Sequence, residues 1–194
     1  MPREKIERKI AVIFATDVVG YSKHMEKNEN EAVQTLRSCE KIFSQCLKKH
    51  EGKIFNTGGD SFLAEFPSAV SAVECAVDFQ NEMRHRNTLD NTSVKLEFRI
   101  GINSGDVVKE KDNLLGDGVN IAARLEAASS PEGVHISKST QQRLSTKTQN
   151  NFKYMGPISL KNIKSEIEVF VWSVGHQTGR YGSSNTERVA ETQI

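Results

Sequence analysis

The chain has 194 residues, enough for one ordinary domain with a buried core plus a tail, so no second domain is required. Its 26 basic and 25 acidic residues nearly cancel, leaving a formal net charge of +1. This excludes a global field that would hold a nucleic acid or an anionic membrane by charge alone, and any anionic ligand must find a local site.

Cys39, Cys46 and Cys75 form no CxxC pair and no cluster with histidine. They read as reduced core residues. No stretch approaches the roughly 20 apolar residues of a membrane span, and the start, Met1 to Lys9, is charged where a signal peptide is apolar. The expectation is a soluble, cytoplasmic domain, which leaves open a larger and membrane-bound chain around it.

In chain order, Ile10 to Thr16 is an apolar run rich in β-formers and too short for a helix, which predicts a buried central strand, with Gly20 close behind. From Asn28 to His50 the apolar residues recur at helical spacing, and Gly52 is expected to end that helix. Lys53 to Thr57 and Ser61 to Phe66 flank Gly58-Gly59-Asp60 and predict a β-hairpin with Asp60 at its tip. Ser68 caps a second helix running to Met83. Val94 to Asn103 and Asp106 to Lys109 read as a strand pair turning at Ser104-Gly105, and Gly116 to Ala128 as a third helix. Short strands are expected from Val134 to Val174. From Gly175 the chain is polar and aperiodic, which predicts a disordered tail or linker over 175–194 after a single domain over 1–174. Tight hairpins demand antiparallel neighbours, so the pattern implies an α+β fold with helices on one face of a mixed sheet.

Chemistry concentrates at three places. Asp17 closes the first strand and is followed by Val18, Val19, Gly20 and Tyr21 before the chain turns helical. Backbone N–H groups at such a turn cradle phosphate, and an adjacent carboxylate holds the accompanying metal, although an Asp there also reads as a plain helix cap. Asp60 has ordinary turn chemistry as its bland reading. Its apolar flanks Ile54, Phe55, Phe62, Leu63 and Phe66 argue instead for core strands that carry it beside the end of the first. Two carboxylates so placed can bind two Mg²⁺ or Mn²⁺ ions about 4 Å apart. Asn120 and Arg124 are four apart, hence on one helix face, and the small residues around Arg124 let a planar guanidinium approach a phosphoryl group closely.

Four blocks in this order, FATDVVGYS (Phe14 to Ser22), NTGGDSFLAEF (Asn56 to Phe66), RIGINSG (Arg99 to Gly105) and LLGDGVNIAARLE (Leu114 to Glu126), resemble the class III nucleotide cyclase catalytic domain. The resemblance covers Ile10 to Val174. It implies a ferredoxin-like, palm-like mixed sheet with helices packed on it. It also implies Asp17 and Asp60 as metal ligands with the Val18 carbonyl as a third, Asn120 orienting the ribose, and Arg124 stabilising the α-phosphate. Lys161 or Lys164 takes the terminal phosphates. The family works as a head-to-tail homodimer, with metal ligands from one subunit and the Asn/Arg pair from the other. At the base-reading positions Asn56 and Asn113 replace the Lys and the Asp or Thr of adenylate cyclases, and the Glu that guanylate cyclases carry is absent. An amide both donates and accepts and so discriminates adenine from guanine poorly; because the guanine-reading Glu is absent, the implied reaction is ATP to 3′,5′-cyclic AMP and pyrophosphate, with guanylate or mixed purine specificity as the alternative.

Two rivals remain at this level. Gly58-Gly59-Asp60-Ser61-Phe62 resembles the GG[DE]EF hairpin of diguanylate cyclases, but Ser61 stands where an acid is expected and GDGVNIAAR has no place in that pattern. A catalytically silent, nucleotide-sensing dimerisation module would share the fold, yet all four catalytic positions are chemically intact.

Overall fold

The computed structural model describes residues 6–89, 91 and 93–173, so the tail expected from Gly175 lies outside the described residues. Strand β1 (Glu7–Val18) is followed by α1 (Tyr21–Lys27), α2 (Glu29–Lys49), the hairpin β2 (Lys53–Gly58) and β3 (Ser61–Phe66), and α3 (Ala69–Leu89). Then come β4 (Phe98–Glu110), β5 (Asn113–Leu115), α4 (Asp117–Ala128), β6 (Val134–Ser137), the short α5 (Lys138–Gln141) and α6 (Thr146–Gln149), and a second hairpin, β7 (Lys153–Ile158) with β8 (Ile167–Trp172). The strands form one mixed sheet in the order β2-β3-β1-β4-β6-β8-β7, with β5 pairing β4 and the β4–β6 pair parallel.

Local chemistry sets the helix ends. The Asn28 side chain accepts the Glu31 N–H at 3.2 Å and its amide returns to the Glu31 carboxylate at 3.1 Å, a reciprocal cap on α2. Ser68 Oγ accepts the Ser71 N–H at 3.0 Å at the head of α3. At the far end of α2 the left-handed position falls on Glu51 (φ 59°). Gly52 is required for another reason: a Cβ there would stand 2.5 Å from the Phe66 ring and 2.6 Å from Leu47 Cδ2.

Two expectations need correction. Ser104 and Gly105 make no turn: β4 runs through them without a break, pairing Ser104 with Val12 and Gly105 with Ala11, and the chain reverses only after Glu110. A Ser-Gly pair reads as a turn locally, but the long partner β1 holds it extended. Nor do the helices share one face. Val12, Phe14 and Val18 of β1 join the large core with α2 and α3, whereas Ala11, Ile13 and Ala15 pack on the opposite face with Val119 and Ala122 of α4. A strand buried on both faces is a continuous apolar run, which β1 is.

The α4 face is built for close approach. Gly101 has the α4 backbone directly above it, so that an added Cβ would lie 2.2 Å from the Glu126 nitrogen and 2.3 Å from the Ala122 carbonyl oxygen. Asn103, buried beneath the start of α4, donates to the Gly118 carbonyl at 3.0 Å. The three cysteines are buried, as their spacing implied. Among the described residues no helix is long and apolar enough to cross a membrane.

Candidate active site

Asp17 follows the parity of Ala11, Ile13 and Ala15, so its side chain lies on the α4 face near the end of β1. Its register partner is Arg99. That guanidinium straddles the carboxylate, with Nη2 2.8 Å from Oδ2 and both Nε and Nη2 3.1 Å from Oδ1. Arg99 is anchored in turn to the Ala127 carbonyl near the end of α4 at 3.3 Å. The pairing of Thr16 with Phe62 brings the Gly59-Asp60 turn beside the same end of β1. Burial, and next the negative charge of Asp60, raise the Tyr21 phenol.

Arg99 and Glu126 lie in the same cluster as Asp17, and the motif reading leaves them without a role. Glu126 Oε1 lies 3.2 Å from Arg99 Nε, but the Nε–H is directed to Asp17 and the buried Oε1 accepts no hydrogen bond among the described residues. Burial first, and then its hydrogen bond with Asp17, hold the Glu126 carboxyl well above the usual carboxylate range. The hydrogen bond to Asp17 does most to push the Arg99 guanidinium up, with Glu126 and Asp60 adding to it. Three carboxyl groups therefore converge on one guanidinium. The signal available in sequence was the RIGINSG block itself, but its pairing with Asp17 spans 82 residues and only the sheet register reveals it.

A site short of positive charge, with an orphaned buried carboxyl oxygen, fits a divalent cation. Among the described residues no group of three or more His, Cys, Asp or Glu side chains is arranged to hold a metal ion. The fit thus rests on Asp17 and Asp60, and oxygen ligands from backbone or water would have to complete a shell. Of the expected phosphate cradle, the Val19 N–H is already donated to the Glu97 carbonyl at 2.8 Å. Gly20, with φ 61°, and Tyr21 remain as the entry to α1.

The other half of the chemistry points elsewhere. Helix α4 buries Gly118, Val119, Ala122, Leu125 and Glu126 against the sheet. At about 100° per residue, Asn120 and Arg124 lie about 160° round the helix from Ala122. They face away from the sheet that carries Asp17, and neither side chain has a partner among the described residues. Lys161 and Lys164 are likewise exposed and unpartnered, in the β7–β8 loop.

The two positions expected to read the base do meet. Asn56 of β2 donates its amide to Asn113 Oδ1 of β5 at 3.4 Å, and the Leu114 N–H donates to that same oxygen at 3.0 Å. Both residues line a cavity of about 740 Å³ with Ile54, Phe55 and Lys111.

The fold is shared with solved cyclase structures. An adenylate/guanylate cyclase/hydrolase from Silicibacter pomeroyi superposes with a TM-score of 0.80 at 34% identity, over 87% of this chain and 99% of that one. The adenylyl cyclase CyaB from P. aeruginosa gives 0.76 at 25% identity, over 86% and 95%. A Rhizobium meliloti (strain 1021) relative, named provisionally as adenylate cyclase 3, is 37% identical over 174 residues, which is 89% of this chain but 30% of its own length. The chain therefore spans less than a third of that relative. The family model of the adenylate and guanylate cyclase catalytic domain matches residues 3–173, and the chain belongs to that family.

Proposed function

We propose that this domain is an adenylate cyclase, converting ATP to 3′,5′-cyclic AMP and pyrophosphate in a site shared head-to-tail between two copies. The observation that carries the reading is the separation of the chemical groups: Asp17 and Asp60 sit together at one end of the sheet, while Asn120 and Arg124 project from α4 away from it. A second copy related by a two-fold axis would bring the missing pair to each carboxylate site.

In the reaction the ribose 3′-oxygen gives its proton to solvent water and bonds to the α-phosphorus in line as the bond to the β-phosphate oxygen breaks and pyrophosphate leaves. Two Mg²⁺ or Mn²⁺ ions, when bound, would make the 3′-hydroxyl a better nucleophile and offset charge on the leaving group. Asp17 and Asp60, with the Val18 carbonyl, are the groups that would hold them. Asn120 of the other copy would orient the ribose, and Arg124 would stabilise charge developing on the α-phosphate. Gly20 and Tyr21 border the phosphates, and Lys161 or Lys164 would reach the terminal ones.

The amide pair favours adenine. With Asn113 Oδ1 engaged by Leu114 and Asn56, Asn113 offers its NH₂ and Asn56 its Oδ1. These complement the acceptor N1 and donor N6 of adenine, whereas N1 of guanine carries a proton. The Asn56–Asn113 hydrogen bond is long, which keeps guanylate or mixed purine specificity as the second reading.

The test is complementation. Asp17→Asn and Arg124→Ala homodimers should each be nearly inactive, because every site contains a defect. With free subunit exchange about half the dimers are mixed and each has one intact site, so roughly a quarter of wild-type activity should return. No recovery, with exchange verified independently, refutes the shared site. A folded wild-type domain that releases no pyrophosphate from ATP with Mn²⁺ would instead be a silent module.

A further inference from the structure

A second cavity, of about 410 Å³, lies between the C-terminal end of α4 and the β6–β8–β7 end of the sheet. Ala128, Ser129 and Ser130 form one wall, and His135, Val171 and Lys153 cross the sheet as direct register partners on adjacent strands. Tyr154 and Met155, both more than half exposed, border it. None of the groups in the proposed catalytic chemistry lines it.

Three features make this a built site. His135 is 3% exposed, yet its Nδ1 has no hydrogen-bond partner among the described residues, an arrangement that is destabilising unless something completes it. The Lys153 ammonium has no ion pair or hydrogen bond among the described residues, and no acidic side chain lines the cavity. Ala128, Val171 and Met155 supply an apolar surface beside these polar groups, and the volume falls in the range that small ligands occupy. The geometry points to a binding site for a small organic anion with an apolar body, its acid group held between Lys153 and the imidazole of His135 and its body over Val171 and Met155. Burial lowers His135 to a pKa of about 4, so the imidazole is neutral at physiological pH and acts as a hydrogen-bonding wall, with Lys153 as the cation. Ser129 Oγ is occupied by the Ser130 carbonyl at 3.1 Å and contributes packing.

The probe is benzoate, with benzyl alcohol as its uncharged counterpart, added to the whole chain with selectively labelled histidine and followed by NMR. Of the five histidines, His135 should shift saturably with benzoate, and benzyl alcohol should bind at least tenfold more weakly. Lys153→Ala, at an exposed position, should weaken benzoate about tenfold, the worth of one charge-assisted hydrogen bond. His135→Leu should weaken it too, and if that variant does not fold, the Lys153 variant and the wild-type titration still decide. The proposal is overturned if His135 does not shift, if the shifts centre on other histidines, if both probes bind equally, or if Lys153→Ala leaves the affinity unchanged.

Discussion

Replacing Gly101 with Ala is the sharpest perturbation of the frame that carries Asn120 and Arg124. The new Cβ would meet backbone atoms of α4 at 2.2, 2.3 and 2.8 Å, and none of these belongs to a side chain that can rotate away. Restoring an ordinary contact of roughly 3.5 Å requires α4 to withdraw by about 1.3 Å from the centre of β4. Overpacking against a rigid neighbour belongs at the upper end of the usual range, about 3 kcal/mol. For a domain of this size that is a fall of roughly 10 °C in Tm. Because the displaced helix holds Asn120 and Arg124, and its C-terminal end anchors Arg99, turnover should fall by about 100-fold, the usual consequence of a 1 Å misplacement. Thermal unfolding by circular dichroism and steady-state cyclase kinetics on the same sample measure both. A variant with unchanged Tm and unchanged kcat would refute the close seating of α4 on Gly101.

Asp17→Asn and Asp60→Asn should each abolish turnover and weaken Mn²⁺ binding by paramagnetic resonance while the fold is kept, and near-normal rates in either folded variant would remove the carboxylate pair from the chemistry. Asn56→Glu should move preference toward GTP, and unaltered ATP-to-GTP ratios would show that Asn56 does not read the base. Burial lowers His135 from the ordinary histidine value of 6.5 to about 4, so the unfolded chain takes up the proton first as pH falls. Its contribution is therefore complete above about pH 6.5 and drains by about 3 kcal/mol toward pH 4. His135→Gln should lose that part of the acid sensitivity in denaturant unfolding, and parallel pH profiles would contradict the burial argument.

What the amino-acid sequence determined alone is what short-range chemistry controls. The Ser68 cap, the Gly58-Gly59-Asp60 hairpin and the four-residue spacing of Asn120 and Arg124 are local, and each is found where periodicity and turn residues place it. The element order and the mixed α+β sheet follow from such signals. What crosses the sheet was decided by tertiary structure. Ser104-Gly105 stays extended because β1 pairs along it, and Gly52 is needed for the room that Phe66 and Leu47 leave it. The run Ala11 to Ala15 is buried on both faces because α4 returns to the side opposite α2 and α3. The grip of Arg99 on Asp17, the buried Glu126 behind it and the meeting of Asn56 with Asn113 join residues that are 82, 109 and 57 positions apart. No local propensity encodes such a pairing. It exists only once register brings two strands together and a glycine lets a helix settle on them.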